Sequence, residues 1–320
     1  MCYLTTDYLY PNESKSIVFN SIVPAFSIKD LKEIINGVFN DSVKTDEIIR
    51  LFTTSFEKKI DLQYTPLVLL NGYYHIPMSI TAKSNLLRNC IAISRTSGNQ
   101  ESNSMSEPMV TECAQIFNQC TLHPIVLTNV KVKHKQKSGE IDVLVITDNY
   151  ILIIECKCPL CPVNNFEMRG DNDHLHKATK QLDLCKAAFG NQDYQKSLLK
   201  QRKIPYKPRK ILTCIVFGNR LFNGLSFSGH PVRFINELNN FMINGTIRTD
   251  KTVYSIWEGE KLAEKDLINY LSEQTPFIQT RFDAMIQHYE QLKLGNMRLS
   301  LESYGIAQKT VDFQLDQNFN

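Results

Sequence analysis

The stretch that decides the fold runs from Gly139 to Pro159, G-E-I-D-V-L-V-I-T-D-N-Y-I-L-I-I-E-C-K-C-P. Two apolar runs flank a polar Asp148-Asn149 centre, the pattern of two strands joined by a tight turn. Glu140, Asp142, Glu155 and Lys157 lie inside that pattern. Charges in a core hairpin need water, a partner or a metal ion. A turn at Asp148-Asn149 pairs Thr147 with Tyr150, which sets Asp142 opposite Glu155 and Glu140 opposite Lys157. Side chains alternate across a strand. The four charged residues therefore share one face, and Ile141, Val143, Leu152, Ile154 and Cys156 share the other. Opposed carboxylates with Cβ atoms about 4.5–5.5 Å apart repel each other. A divalent cation between them reverses the sign, and hard oxygen ligands suit Mg²⁺ or Mn²⁺. Lys157 then sits beside the ion, placed to offset charge on a phosphate.

The surroundings give this hairpin a frame. Met109–Cys120 reads as a helix, and Ile125–Val132, Glu140–Ile146 and Tyr150–Lys157 read as strands. Asp173–Phe189 reads as a helix with an apolar stripe of Leu175, Ala178, Leu182, Cys185 and Phe189. Lys210–Phe217 is a short apolar run suited to a buried strand. The order is helix, three strands, helix, strand. Upstream, residues 1–96 read as a small α+β region with helices over Ile28–Phe39, Thr45–Phe56 and Ser84–Ile93, and a hairpin turning at Asn71-Gly72. The small, polar stretch 97–108 reads as a linker. Downstream, Pro231–Met242 reads as a helix and Val253–Trp257 as a strand. Residues 261–320 read as a helical extension, helical to about Leu294.

Asp142 followed after a hairpin by Glu155-Cys156-Lys157 resembles the D…E-x-K signature of the PD-(D/E)XK, or restriction-endonuclease-like, nuclease superfamily. G-E-I-D-V-L-V-I with I-L-I-I-E-C-K looks most like its nuclease-related and Holliday-junction-resolvase-like branches. The resemblance covers Met109 to Phe217, and its αβββαβ core matches the order read above. Ile141 stands where the Pro of the motif would precede Asp142. The fold class expected is α/β (α+β) with a mixed sheet, and residues 109–260 form the expected nuclease domain. The resemblance implies that Asp142, Glu155 and the backbone carbonyl of Cys156 bind Mg²⁺, with Mn²⁺ as the substitute. It implies that Lys157 orients or polarises the attacking water. Glu112 on the preceding helix and Gln181 on the following one match positions that assist in some branches.

Other motifs bear on partners. Lys133, Lys135 and Lys137 alternate with Lys131 before the hairpin, and Lys196–Lys210 carries seven basic residues and no acid. Together with His174, Lys177, Arg202, Lys203 and Lys207 they are candidates for tracking a nucleic-acid backbone, DNA in the first instance. An ordinary basic loop is the competing reading. Cys156, Cys158 and Cys161 place three thiols in six residues, but no fourth ligand stands at metal-site spacing, so Cys156 reads as a small core residue. Nine cysteines without framework spacing, no basic-plus-apolar leader and no long apolar run give the expectation of a soluble cytoplasmic protein with no membrane contact. The formal net charge of +3 selects no partner by itself. No G-x-x-x-x-G-K-[ST] occurs, which argues against a P-loop ATPase. The sequence supports a nuclease first. A non-cutting nuclease-fold module that binds nucleic acid or protein, or a nuclease subunit gated by a partner, are the alternatives; a protein partner or homo-oligomer is expected as an option beside the nucleic acid.

Overall fold

A computed structural model describes residues 22–54, 61–82, 84–97, 106–162, 165–248, 252–272 and 276–306. The chain divides into two compact units, Met1–Ser102 and Asn103–Asn320.

In the first unit, strand β1 (Ala25–Ser27) leads into helices α1 (Ile28–Phe39) and α2 (Ser42–Phe52). Ser27 caps α1 by accepting a hydrogen bond from Asp30 N–H at 3.1 Å. Asp41 caps α2 in the same way, satisfying N–H groups that a helix start leaves bare. The hairpin β2 (Val68–Leu70) and β3 (Tyr73–His75) turns at Asn71-Gly72, both with positive φ, as a type I′ turn requires. Strand β1 pairs with the other edge of β3. Leu31, Ile49, Leu67 and Tyr74 form the core of this unit. Helices α3 (Met78–Thr81) and α4 (Leu86–Ser97) complete it. Helix α2 starts earlier than the apolar spacing suggested, because its start is fixed by the Asp41 cap. Residues 55 and 56, included in that expected helix, lie outside the described residues.

In the second unit, α5 (Ser106–Gln119) precedes strands β4 (Ile125–His134), β5 (Lys137–Ile146) and β6 (Tyr150–Lys157). Then come the long α6 (Asn165–Phe189), α7 (Gln192–Gln201) and β7 (Lys210–Phe217). Strands β8 (Ser226–Phe227) and β9 (His230–Phe234) extend the sheet to the order β4-β5-β6-β7-β9-β8. The sheet is mixed. The β4/β5 and β5/β6 pairs are antiparallel, while β6/β7 and β7/β9 are parallel. This α+β architecture contains the αβββαβ order and is a restriction-endonuclease-like fold.

Both sheet faces are covered, which explains the near-continuous apolar runs of the central strands. On one face Cys113 and Phe117 of α5 meet Val143, Val145, Leu152, Ile154 and Cys156. Helices α8 (Ile235–Ile243) and α9 (Glu264–Leu271) share that core through Leu238, Phe241 and Tyr270. On the other face Leu175, Ala178, Leu182 and Phe189 of α6 meet Leu144, Ile151, Ile153 and Ile215. Among the described residues no helix is long and apolar enough to cross a membrane.

Several boundaries depart from the sequence reading. Helix α5 begins at Ser106, inside the expected linker; Pro108 is tolerated there because first-turn N–H groups have no intrahelical partner. Residues 98–105 lie outside the described residues. Helix α6 begins at Asn165 rather than Asp173, although its first turns show no apolar stripe. Within them Asp171 is buried and accepts a hydrogen bond from Asn219 Nδ2 at 3.0 Å, a tertiary anchor invisible to periodicity. The expected helix from Pro231 starts only at Ile235. Pro231–Phe234 belong to β9, where the guanidinium of fully buried Arg233 donates to the carbonyls of Tyr270 and Ser272. The helical extension is half right. Helices α9 and α10 (Pro276–Asp283) are followed by a hairpin of β12 (Met285–Leu294) and β13 (Met297–Ile306). Positive-φ Gly295 turns it, and the alternation of Met297, Leu299 and Leu301 supplies a partner strand. The short β10 (Thr246–Arg248) and β11 (Val253–Ser255) form a separate ribbon.

The end of β6 is fixed by close packing. Gly218 N–H donates to Lys157 O at 2.9 Å. A Cβ on Gly218 would lie 2.9 Å from Cys158 Sγ and 3.2 Å from Cys158 Cα. Gly218→Ala should therefore push β7 off the Lys157-Cys158 segment and cost about 1–3 kcal/mol of stability, measured by urea unfolding. An unchanged midpoint would show that the segment yields freely.

Candidate active site

The Asp148-Asn149 turn sets the register expected from the sequence, pairing Ile146 with Ile151 and continuing to Val143 with Ile154. Glu264 holds the turn by accepting hydrogen bonds from Asp148 N–H at 3.0 Å and Asn149 Nδ2 at 2.6 Å. Beyond Val143 the described β5–β6 ladder stops. There Asp142 turns its carboxylate onto the neighbouring strand, and Oδ2 accepts a hydrogen bond from Cys156 N–H at 2.7 Å. The direct opposition of Asp142 to Glu155, and of Glu140 to Lys157, is replaced by this side-chain bridge. Glu140 pairs across the other edge with Lys131, and Lys157 Nζ bonds Glu155 Oε1 at 2.5 Å.

The cause is a change of phase in two strands at once. Val143 packs on the α5 side and Leu144 on the α6 side, as alternation requires, yet Ile141 also packs on the α6 side. Ile141 therefore does not join Val143 and Ile154, as strict alternation had suggested. Strand β4 makes the same step: Leu127 and Val130 both face the α6 side. Between them Asn129 adopts a left-handed φ of 52°. Because both strands step together, their register survives on either side, with Thr128 on Val143 and Val130 on Ile141.

The step opens a cavity of about 340 Å³ in which Asp142, Glu155, Lys157, Gln181, Glu140 and Cys156 meet. Gln181 of α6 is fixed there by Nε2, which donates to Glu140 O at 3.1 Å. Glu155 is 1% exposed. Burial, reinforced by the neighbouring Asp142 charge and opposed by Lys157, pushes its carboxyl up to about 8. Burial likewise raises Asp142, against the Cys156 N–H and the Lys157 ammonium. Two carboxylates that resist ionising together form a site that favours a cation. Cys156 takes part through its backbone. Its thiol packs in the α5-side core and is held well above the usual range by the adjoining Cys113 thiol and by burial.

Glu112 is not part of this group. It lies on the exposed side of α5, whose inner face is Met109, Val110, Cys113 and Phe117. The α5 carboxylate that reaches the cavity is Glu107, one and a half turns earlier. Glu107 was hidden inside a stretch that composition marks as linker. Asn129 also lines the cavity and was missed. Its one signal was a lone Asn in an otherwise strand-forming run, a residue type that tolerates positive φ.

The basic residues sort by position. A cleft of about 1120 Å³ is lined by Lys135, Lys137, Lys177, Lys180 and His134, and shares Gln181 with the acidic cavity. A neighbouring cleft carries Lys131 and Lys133 and shares Glu140. His174 lies outside these clefts but within reach of the Lys157 charge. Burial first, then Lys177 and Lys157, lower its imidazole against the pull of Asp171 and Asp173. Lys203 lines a separate cleft with Lys196, Lys200 and Tyr206. Arg202 ends α7 and lines none of these clefts. Lys207 bonds Asp148 at 2.5 Å, at the turn end of the hairpin and away from Glu155.

The raised Glu155 carboxyl has a consequence for stability. Between about 4.5 and 8 the unfolded chain gives up this proton while the folded protein keeps it, so stability falls as pH rises through that window. Glu155→Gln keeps an acceptor for Lys157 and removes the titration. In EDTA it should raise the Tm by several degrees at pH 8 and leave it unchanged at pH 4.5. A lower Tm at pH 8 would show that the ionised carboxylate is stabilising.

Residues 112–217 match the family model of NERD, the nuclease-related domain. The match runs from within α5 to the end of β7, the segment that supplies every residue lining the cavity except Glu107 and Val110. No curated protein matches the chain, and no solved structure does. The strand order, the D…E-x-K residues in one cavity and the family match agree: residues 112–217 are a nuclease-related domain of the PD-(D/E)XK-like kind.

Proposed function

We propose that the chain is a Mg²⁺-dependent nuclease that hydrolyses phosphodiester bonds of DNA, with RNA as the lesser substrate. The observation that carries this reading is the pairing of half-buried Asp142 with buried Glu155, with the Lys157 ammonium on Glu155, in a cavity sharing walls with lysine-lined clefts. Among the described residues no cluster of three or more His, Cys, Asp or Glu side chains is poised for a metal. Two carboxylates with a backbone carbonyl still suit Mg²⁺, which keeps several waters and accepts substrate phosphate oxygens as ligands. The donors are all hard oxygens, which disfavours thiophilic metals.

Asp142 and Glu155 would hold the ion, with the carbonyl of Cys156 as the backbone ligand. Bound there, the ion supplies Lewis acidity toward water and phosphate oxygen. The Cys156 N–H holds the Asp142 carboxylate in one orientation. Lys157 has three donors; one reaches Glu155, leaving others to orient a water and to offset phosphate charge. Gln181 ties α6 to β5 and so holds the lysine-lined wall against the acidic centre. Lys131, Lys133, Lys135, Lys137, Lys177 and Lys180 would neutralise backbone phosphates on either side of the scissile bond. Buried free thiols at Cys113, Cys120, Cys185 and Cys214 support a reducing, cytoplasmic setting. Defence, restriction or repair would each use this chemistry.

Cleavage of circular and linear, single- and double-stranded DNA and of RNA, with Mg²⁺, Mn²⁺ or EDTA, tests the reading. Asp142→Ala and Lys157→Ala should each lower a metal-dependent rate by about 10²- to 10⁴-fold. No cutting by folded wild type, with nucleic-acid binding retained, would favour a non-cutting binding module. Replacing Lys135 and Lys137 by Ala should weaken binding for all sequences alike. It should also reduce the dependence of log K on log salt by about 0.9 per lost phosphate contact. An unchanged slope would exclude these lysines from the interface.

A further inference from the structure

Asn129 has two separable properties. Its backbone takes the left-handed φ of 52° at which β4 steps in phase, and the residue is exposed and lines the acidic cavity. Glycine would satisfy the first property at no steric cost. The second calls for another explanation.

The polar groups around Asn129 are largely committed or of the wrong sign. Glu107, Glu140, Asp142 and Glu155 are carboxylates, which repel a phosphate. Gln181 Nε2 donates to the Glu140 carbonyl, and Lys157 keeps one donor on Glu155 and the others for water and phosphate, so that Asn129 adds a neutral donor on a different wall. Among the described residues the Asn129 amide makes no side-chain hydrogen bond, and the residue is solvent-exposed at the cavity. It is a neutral N–H donor on the wall contributed by the strand that carries Lys131 and Lys133. A neutral amide can approach an anionic oxygen without adding to the cavity's negative charge.

We propose that the Asn129 side-chain amide is a substrate-contacting group, donating a hydrogen bond to a phosphate oxygen of the strand being cut. This assignment rests on the nuclease reading above. It goes beyond the D…E-x-K residues, because it gives the strand next to the hairpin a direct part in seating the phosphate. The left-handed backbone at Asn129 and the stepped position of Asp142 then share one origin. The same step that brings the carboxylate onto Cys156 N–H places Asn129 at the cavity.

Asn129→Gly separates the two properties, since it keeps the backbone and deletes the amide. Asn129→Asp is the second variant; it keeps the size and the tolerance for positive φ but replaces the donor with a carboxylate. Each would be compared with wild type for Tm, for Mn²⁺ binding by calorimetry, and for kcat and KM on the best DNA substrate. The expected result is an unchanged Tm and unchanged Mn²⁺ affinity for Asn129→Gly, with kcat/KM lower by about ten- to a hundredfold. Asn129→Asp should lose more, because like charges meet. Wild-type kcat/KM in Asn129→Gly would overturn the proposal and leave Asn129 as a backbone device. Loss of kcat/KM in step with loss of Mn²⁺ affinity would also overturn it, by assigning the effect to the metal site. If folded wild type does not cut, whether or not it binds nucleic acid, the nuclease reading itself fails, and this contact fails with it. If Asn129→Gly does not fold, Asn129→Asp decides: undiminished kcat/KM there overturns the contact, and a loss with Mn²⁺ binding intact supports it.

Discussion

The hydrogen bond from Cys156 N–H to the Asp142 carboxylate joins strands where their described backbone ladder has ended. A side chain standing in for a backbone acceptor satisfies the amide and fixes a carboxylate beside Glu155. Left without that bond, Asp142 would be a half-buried acid with desolvation and Glu140 against its charge and Lys157 for it. The arrangement is unfavourable for the protein alone, since Glu155 is also pushed toward its neutral form. Local rules are broken here and kept in the surrounding sheet, as expected where function has priority over stability.

The rest of the second unit stabilises this exception. Two apolar layers clamp the sheet from both faces, and Glu264 fastens the turn at the far end of the hairpin. Gly218 allows β7 to lie against the Lys157-Cys158 segment. The carboxylates therefore cannot relax apart by moving strands, because each strand is bound by its own core. Rigid support of this kind is what lets a charged site persist in a dry setting.

Much of this was legible from residue pattern. The Asp148-Asn149 turn sets the register from Ile146 to Val143, and the grouping of Asp142, Glu155 and Lys157 follows from it, while Gln181 comes only from the resemblance to the nuclease superfamily. Strict alternation failed at Ile141, because the paired step at Asn129 and Asp142 depends on a backbone angle that hydrophobic pattern does not encode. Glu112 matches a helix position that the family resemblance implies, but helix phase leaves it exposed and Glu107 lines the cavity instead. The start of α6 and the strand at Pro231–Phe234 depend on tertiary partners, Asn219 for Asp171 and the Tyr270 carbonyl for Arg233. Such partners lie tens of residues away and leave no local trace. Lys207 shows the converse: a basic run predicted its charge but not its engagement with Asp148.

On the proposed function the Asp142–Glu155 pair holds a divalent cation. Calorimetric titration of Mn²⁺ and Mg²⁺ into the full chain, without nucleic acid, should then show one site per chain that is lost in Asp142→Ala and in Glu155→Gln, with both variants folded. Binding that survives both substitutions, or no binding by folded wild type at millimolar metal, would contradict it.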